Sequence, residues 1–311
     1  MLSRVLSGAV LGIDGYLVQV ETDIAAGLPS FATVGLPFGA VKEGRERVAA
    51  ALQNSGFLFP LGRITVNLAP ADERKSGSAF DLPIAIGVVS ASGQAALEKS
   101  LPGVVMVGEL GLDGSIRPVR GVLPIALAAA QAGCPALIVP EANVAEASVV
   151  DGLDVLGGAN LTSVILHLTG TQPLPPSPRP TSHVPRPNDE VDFSEIRGQQ
   201  HAKRALEIAA AGAHNVLMVG PPGGGKTMLA RRLPTILPPL AMAESLETTR
   251  VHSVAGTLRP GESLIVNQPF RAPHHTVSDA GLIGGGSGPR PGEVSLAHNG
   301  VLFLDELPNS G

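Results

Sequence analysis

The run Gly220-Pro221-Pro222-Gly223-Gly224-Gly225-Lys226-Thr227 has the spacing G-x-x-x-x-G-K-[ST] in full. Its residue types suit one task. Glycines let the backbone fold tightly and turn several N–H groups toward phosphate oxygens. Lys226 is placed to reach the β- and γ-phosphates of a nucleotide, and the Thr227 hydroxyl to hold Mg²⁺. Farther along, Val301-Leu302-Phe303-Leu304 is an apolar run that ends in Asp305-Glu306. Carboxylates at the carboxyl end of a strand are where α/β folds put ligand chemistry. Asp305 is expected to orient Mg²⁺ or its waters, and Glu306 to polarise an attacking water as general base. An apolar run ending in two acids is by itself usually a solvated strand end. The glycine loop upstream gives this pair its meaning.

These residues need a strand before the loop and a helix after it. Residues 215–219 (NVLMV) read as a short buried strand, and a helix starts near Lys226. Another helix is expected over about 199–211, after an opening segment at 192–196. A long Gly- and Pro-rich stretch, 251–300, then leads to the second acidic strand. Within it, His274 and His275 are adjacent and so face opposite sides of a strand, with no cysteine nearby. That is a poor metal pair. A polar loop meeting a substrate or partner is the favoured reading, and the glycines at 284–286 suit a mobile or closely packed loop.

Upstream, the segment 171–187 (TQPLPPSPRPTSHVPRP) is the clearest boundary, because 7 of its 17 residues are proline. Proline fixes φ and removes a donor, which leaves neither helix nor ladder. As an extended linker it would reach roughly 50 Å, at about 3.1 Å per residue. One domain over 1–170 and another over 188–311 follow, with no internal repeat. The first alternates strands (16–22, 64–68, 136–139) with helices (41–54, 79–90, 124–132), Pro83 falling in the first turn of the second helix. A hairpin over 104–110 and 115–119 turns at Asp113-Gly114. The class is α/β or α+β. Residues 74–78 (RKSGS) are basic, small and flexible. They could form an anion-binding turn or a strained nucleophile loop, and a solvated turn before a helix is the favoured reading.

Composition narrows the partners. Aromatics are 3 % with no Trp and one Tyr, too few rings for a single-strand nucleic-acid surface built on stacking. The net charge of −5 sits in the first part: 10 Lys/Arg against 15 Asp/Glu in 1–170, and 12 against 12 in 171–311. No broad basic field draws the chain to nucleic acid or membrane, so any DNA contact falls to local loops. The lone Cys134 excludes an internal disulfide and a multi-cysteine zinc site. Residues 1–21 lack a signal-peptide pattern, and the uncharged stretch 121–140 is broken by Pro124, Gly133 and Pro135. A soluble cytoplasmic protein is expected.

Taken together, 220–227, 270–276 and 301–306 resemble the AAA+ module of magnesium-chelatase-type ATPases. ATVGLP at 32–37, VNLAPAD at 66–72, SAFDLP at 78–83 and PRPGEVSLAHNG at 289–300 narrow the resemblance to the YifB/ComM branch. It implies ATP and Mg²⁺ as cofactors, homohexamers, and action on DNA as a helicase-like or branch-migration motor in recombination or transformation. Residues 105–140, with Gly108-Glu109 and the Gly114…Pro118 hairpin, also resemble the proteolytic domain of Lon. Peptidases of that type use a serine and a lysine. Ser76 and Ser78 lie near the serine's place, but the lysine's place is taken by Leu123. A serine needs an adjacent base to become nucleophilic. The resemblance therefore implies a Lon-like fold without peptidase activity.

Members of the branch continue past the second acidic strand. The AAA+ fold so implied puts one further strand between the glycine-loop strand and the Asp305 strand, and another on the far side. A sensor residue, an arginine finger and a helical lid come from the same part. The sequence stops at Gly311. The expectation is an α/β chain with a Lon-like leading domain and an incomplete P-loop AAA+ domain. Residues 216–219 would then lack neighbours on both edges, and hydrolysis by this chain alone would be weak or absent. Two other readings stand beside it: a magnesium-chelatase motor subunit, against which the Lon-like leading domain speaks, and a non-catalytic interaction module in which only the leading domain folds.

Overall fold

Strands β1 (Leu2–Leu11) and β2 (Asp14–Ala25) form the spine of the first unit, antiparallel from Leu2↔Asp23 to Leu11↔Asp14. In this computed structural model their two-residue turn has Gly12 at φ 64, the positive value that a type II′ hairpin turn requires at its first position. The structure describes residues 1–178, 191–274, 276–285 and 289–305. The chain divides into two compact units. One is Met1–Pro180 with Ser253–Ser263, and the other is Thr181–His252 with Leu264–Gly311.

After the hairpin come β3 (Ser30–Val34), β4 (Pro37–Phe38), α1 (Ala40–Asn54), β5 (Arg63–Ala69), β6 (Lys75–Ser76), α2 (Asp81–Ala91) and β7 (Val104–Met106). Then follow the hairpin β8 (Glu109–Leu110) and β9 (Ile116–Arg117), α3 (Val122–Gln131), β10 (Ala136–Pro140), α4 (Val144–Ala147), β11 (Asp154–Gly158) and α5 (Leu161–Leu168). Seven strands make one sheet in the order β11-β10-β7-β1-β2-β5-β3. Its pairs are parallel except β1–β2 and β2–β5. Successive strand residues face opposite sides, so Met106, Ile138 and Leu156 enter one core while Val105, Leu137 and Val155 enter the other. Helices α1, α2 and α5 close the first core, and α3 and α4 the second.

The first unit is thus mixed α/β with a mainly parallel sheet, and the elements expected in it are present with shifted ends. The expected hairpin is shorter than its flanking apolar runs, because Gly108 N and Val107 N bond to Ala79 O and Ile138 O instead of across the turn. The reading of 74–78 as a solvated turn holds for Arg74, Ser76 and Gly77, which are exposed, and is corrected at Lys75. Lys75 is fully buried, β6 pairs with β4, and the Lys75 amine donates to Glu73 O at 2.8 Å. The first residues of the expected linker lie against β11, where Ser177 N donates to Val155 O at 2.8 Å. Residues 179–187 of that linker lie outside the described residues.

The second unit contains α6 (Gln200–Gly212), α7 (Lys226–Arg232) and α8 (Met242–Ala255), whose last turn from Ser253 belongs to the first unit. It continues with β12 (Phe270–Arg271), α9 (Asp279–Ile283), β13 (Gly284–Gly285), β14 (Arg290–Pro291), α10 (Glu293–Leu296) and β15 (Val301–Leu302). Phe193, Ile196, Leu206 and Leu229 make its small core. The buried strand expected at 215–219 is not formed. Leu217 and Val219 are 77 % and 88 % exposed, and among the described residues this segment joins no ladder. Among the described residues no helix is long and apolar enough to cross a membrane.

Every residue of α2 is buried, Asp81 included. Arg47 on α1 meets that carboxylate in a two-point pair, Nε to Oδ2 at 2.6 Å and Nη2 to Oδ1 at 3.0 Å, and Leu110 N adds a third donor at 3.3 Å. Burial pushes the Asp81 carboxyl above its usual range, and Arg47 pulls it back. A buried pair broken on one side leaves an uncompensated charge. Arg47→Ala should therefore lower the unfolding free energy of the first unit by about 3–5 kcal/mol at neutral pH, measured in urea. With its folded value raised, Asp81 contributes most below about pH 4 and loses that contribution as pH rises through the folded value. The deficit of the variant should accordingly shrink on acidification. An Arg47→Met, Asp81→Leu double variant should recover most of the loss.

Candidate nucleotide-binding site

Gly223 and Gly225 stand at φ 76 and 81, left-handed values that side chains disfavour, and this lets the loop 220–227 curl back on itself. Gly224 N closes the curl on Pro221 O at 3.2 Å. The helix expected near Lys226 begins there, with Leu229 N bonding to Gly225 O at 2.9 Å. Lys226 Nζ lies over the loop and donates to Gly220 O at 2.9 Å and Pro221 O at 3.1 Å. Carbonyl oxygens of a loop are weak partners for an ammonium beside the charged oxygens of a phosphate. The amine is thus already held at the mouth of the glycine loop.

The second part of the site arrives from 78 residues away. Thr227 Oγ1 donates to Asp305 Oδ2 at 3.2 Å. A hydroxyl and a carboxylate at this separation present the hard oxygen ligands that Mg²⁺ takes beside phosphates. The residues present are of the types that fit a metal-bound nucleotide: Thr227 and Asp305 would hold Mg²⁺, and Lys226 with the loop amides would meet phosphate. Bound there, Mg²⁺ would neutralise charge on the phosphate oxygens. Glu306 lies outside the described residues.

Asp305 is positioned by β15, which pairs in parallel with β12 at Phe270↔Val301 and Arg271↔Leu302. β15 ends at Leu302, two residues short of the expected run, but Phe303 N still bonds to Arg271 O at 2.8 Å. The Phe270 and Phe303 rings stack with centroids 6.3 Å apart. Arg271 in turn grips Glu293 at the start of α10, at 2.6 and 2.7 Å. His274 is exposed and shares a 2.9 Å hydrogen bond with Thr276 Oγ1, whereas His275 lies outside the described residues.

Sequence reasoning missed the supports of the loop. Gln199 Nε2 donates to Gly224 O at 3.4 Å. Arg232, at the end of α7, binds Glu195 at 2.6 Å. Lys203 donates to Ile196 O at 3.2 Å and sits 5.7 Å from the centre of the Phe193 ring. None of these pairs has a spacing that marks it in advance. In the first unit, the Ser78 hydroxyl donates to the Glu109 carboxylate, and Leu123 is fully buried on α3.

Residues 192–310 match the family described as magnesium chelatase, subunit ChlI, and residues 20–143 match subunit ChlI of Mg-chelatase. The chain is 47 % identical over 314 residues to competence protein ComM of Haemophilus influenzae, and 45 % identical over 307 residues to the uncharacterised protein YifB of Escherichia coli. Each alignment covers 99 % of this chain and 60 % of the relative. A shorter likeness, 34 % over 142 residues, covers 41 % of the chain and 24 % of Lon protease 2 of Bacillus subtilis. The chain belongs to the magnesium-chelatase-like proteins of the YifB/ComM type. It spans 60 % of the length of these curated relatives.

The Arg271–Glu293 pair makes a separate prediction. Arg271 holds the Glu293 carboxyl below its usual range, against the opposing effect of burial. Stability from a lowered carboxyl is present above its ordinary value and is lost as pH falls through the folded one. Arg271→Ala should destabilise the β12–β15 pairing by about 1–2 kcal/mol at pH 7. The difference from the parent should fade below about pH 4. Hydrogen exchange of the Val301 and Phe303 amides in urea, which bond to Pro269 O and Arg271 O, reads this directly.

Proposed function

We propose that the second unit binds Mg-ATP, and that the protein is a nucleotide-driven member of the AAA+ class acting on DNA. One observation carries the nucleotide reading: the Thr227 hydroxyl and the Asp305 carboxylate meet at the mouth of a glycine loop whose lysine lies over it. A solvated strand end would have no reason to seek the first helical turn after such a loop. Lys226 and Glu306 are assigned to catalysis, the loop Gly220–Thr227 to phosphate, and Thr227 with Asp305 to Mg²⁺.

The DNA part rests on kinship. A relative that is 47 % identical to this chain over the 314 aligned residues carries the name competence protein. A role in transformation or recombination, as a hexameric helicase-like or branch-migration motor in the cytoplasm, is the function this supports best. The first unit serves as a non-peptidase platform in this reading, because buried Leu123 offers no base to Ser78.

The test is equilibrium binding of a fluorescent ATP analogue to the 311-residue chain. Lys226→Ala should weaken binding at least about tenfold with the circular dichroism unchanged, as loss of a charged phosphate contact implies. Thr227→Ala and Asp305→Ala should weaken it in Mg²⁺ and leave it nearly unchanged in EDTA. Equal affinity in parent and Lys226→Ala would remove the assignment.

A further inference from the structure

The segment Ser253–Ser263 lies in the first unit, although the chain up to His252 and from Leu264 belongs to the second. Its beginning is fastened to that unit at several points. Ser253 Oγ donates to Glu146 Oε2 at 2.5 Å, and Gly121 N donates to Ser253 O at 3.0 Å. Gly256, at φ 72 where side chains are strained, sits against the Arg120 side chain, whose Nε would lie 2.5 Å from a Cβ there. A Cβ on Gly121 would lie 3.8 Å from the Val254 side chain.

Glu146 is the centre of this fastening. It is 6 % exposed, on the short helix α4, and three donors reach its carboxylate. Asn143 Nδ2 reaches Oε1 at 2.6 Å, while Leu123 N and Ser253 Oγ reach Oε2 at 3.3 and 2.5 Å. The Asn143 side chain also bonds both N and O of Val119, at 3.0 and 2.9 Å. One buried carboxylate therefore joins the stretch 119–123, helix α4 and a segment 107 residues farther along. A buried carboxylate is tolerated only while its donors stay in place. Withdrawing Ser253 removes its shortest bond along with Asn143's neighbour on the same group.

We propose that Glu146 is a latch that holds 253–256 on the first unit and so pins, about a third of the way along, the chain that runs from Thr227 to Asp305. The two halves of the phosphate site are joined through this pinned excursion, and its release loosens their connection. That consequence rests on the nucleotide reading above, whereas the latch itself does not.

Hydrogen exchange on the 311-residue chain tests it. Ser253→Ala removes only the hydroxyl. Glu146→Gln replaces one acceptor oxygen by an amide that cannot receive from both sides. Both should speed exchange of the Gly121 and Leu123 amides at least about tenfold, the order expected when a buried charge-assisted bond is lost. The β1–β2 amides, which report intact folding, should not change. Unaltered exchange at Gly121 and Leu123 in both variants overturns the latch. The same samples are titrated with Mg-ATP, and Ser253→Ala should shift the affinity severalfold. A parent that binds while Ser253→Ala binds identically overturns the link to the phosphate site. A parent that binds no nucleotide overturns the nucleotide reading, and the exchange result still decides the latch.

Discussion

A parallel ladder only two residue pairs long decides where Asp305 stands. Parallel pairs need a long crossover, and here the chain between β12 and β15 supplies α9, the β13–β14 hairpin and α10. So short a ladder is marginal by itself. Three local features reinforce it. The Phe270 and Phe303 rings stack, Arg271 clamps the crossover through Glu293, and Gly300 enters the strand where any Cβ would fall 2.2 Å from Pro269 O. With β15 fixed, the chain beyond it needs only a few residues to bring Asp305 against Thr227. The glycine loop meets it from the other side, shaped by its own positive φ values and by Gln199 rather than by a strand ladder beneath it.

What could be read in advance divides by the range of the physics. The glycine loop, Lys226, Thr227 and the start of α7 were legible because their signal is local: spacing, left-handed glycines and a helix after them. Helices α1, α2, α3 and α6 were legible within a residue or two from apolar periodicity and turn residues. Strands β1, β3 and β11 and helix α5 were not, because burial on one face depends on neighbours that lie far away in sequence. Lys75 shows the limit most clearly. A lysine between an arginine and small residues reads as solvated, yet the β4–β6 bridge turns it inward, where Asp72 and Glu73 partly offset the burial that lowers its pKa.

The segment 215–219 failed in the opposite sense. Its apolar residues promise a buried strand, and hydrophobicity alone cannot say which edges will be paired. Backbone groups inside a protein must be hydrogen-bonded, so an apolar stretch without ladder partners stays where water can reach it. Val219 at 88 % exposure, immediately before the loop, is the outcome. An exposed apolar run of this kind is a surface to be covered by whatever partner strand it meets.

Two buried acids do for the first unit what the short ladder does for the second. Asp81 ties α1 to α2 and β8, and Glu146 ties α4 to 119–123 and to Ser253. Neither is a bargain in stability, since an apolar pair of the same volume is often as stable as a buried charge network. Their effect is to admit one arrangement. Apolar contacts between α2 and the sheet tolerate small slides, whereas a carboxylate with two or three donors loses a bond for each displacement. The acids therefore mark the places where the first unit must not slip, and one of them grips, at Ser253, the chain that runs between Thr227 and Asp305.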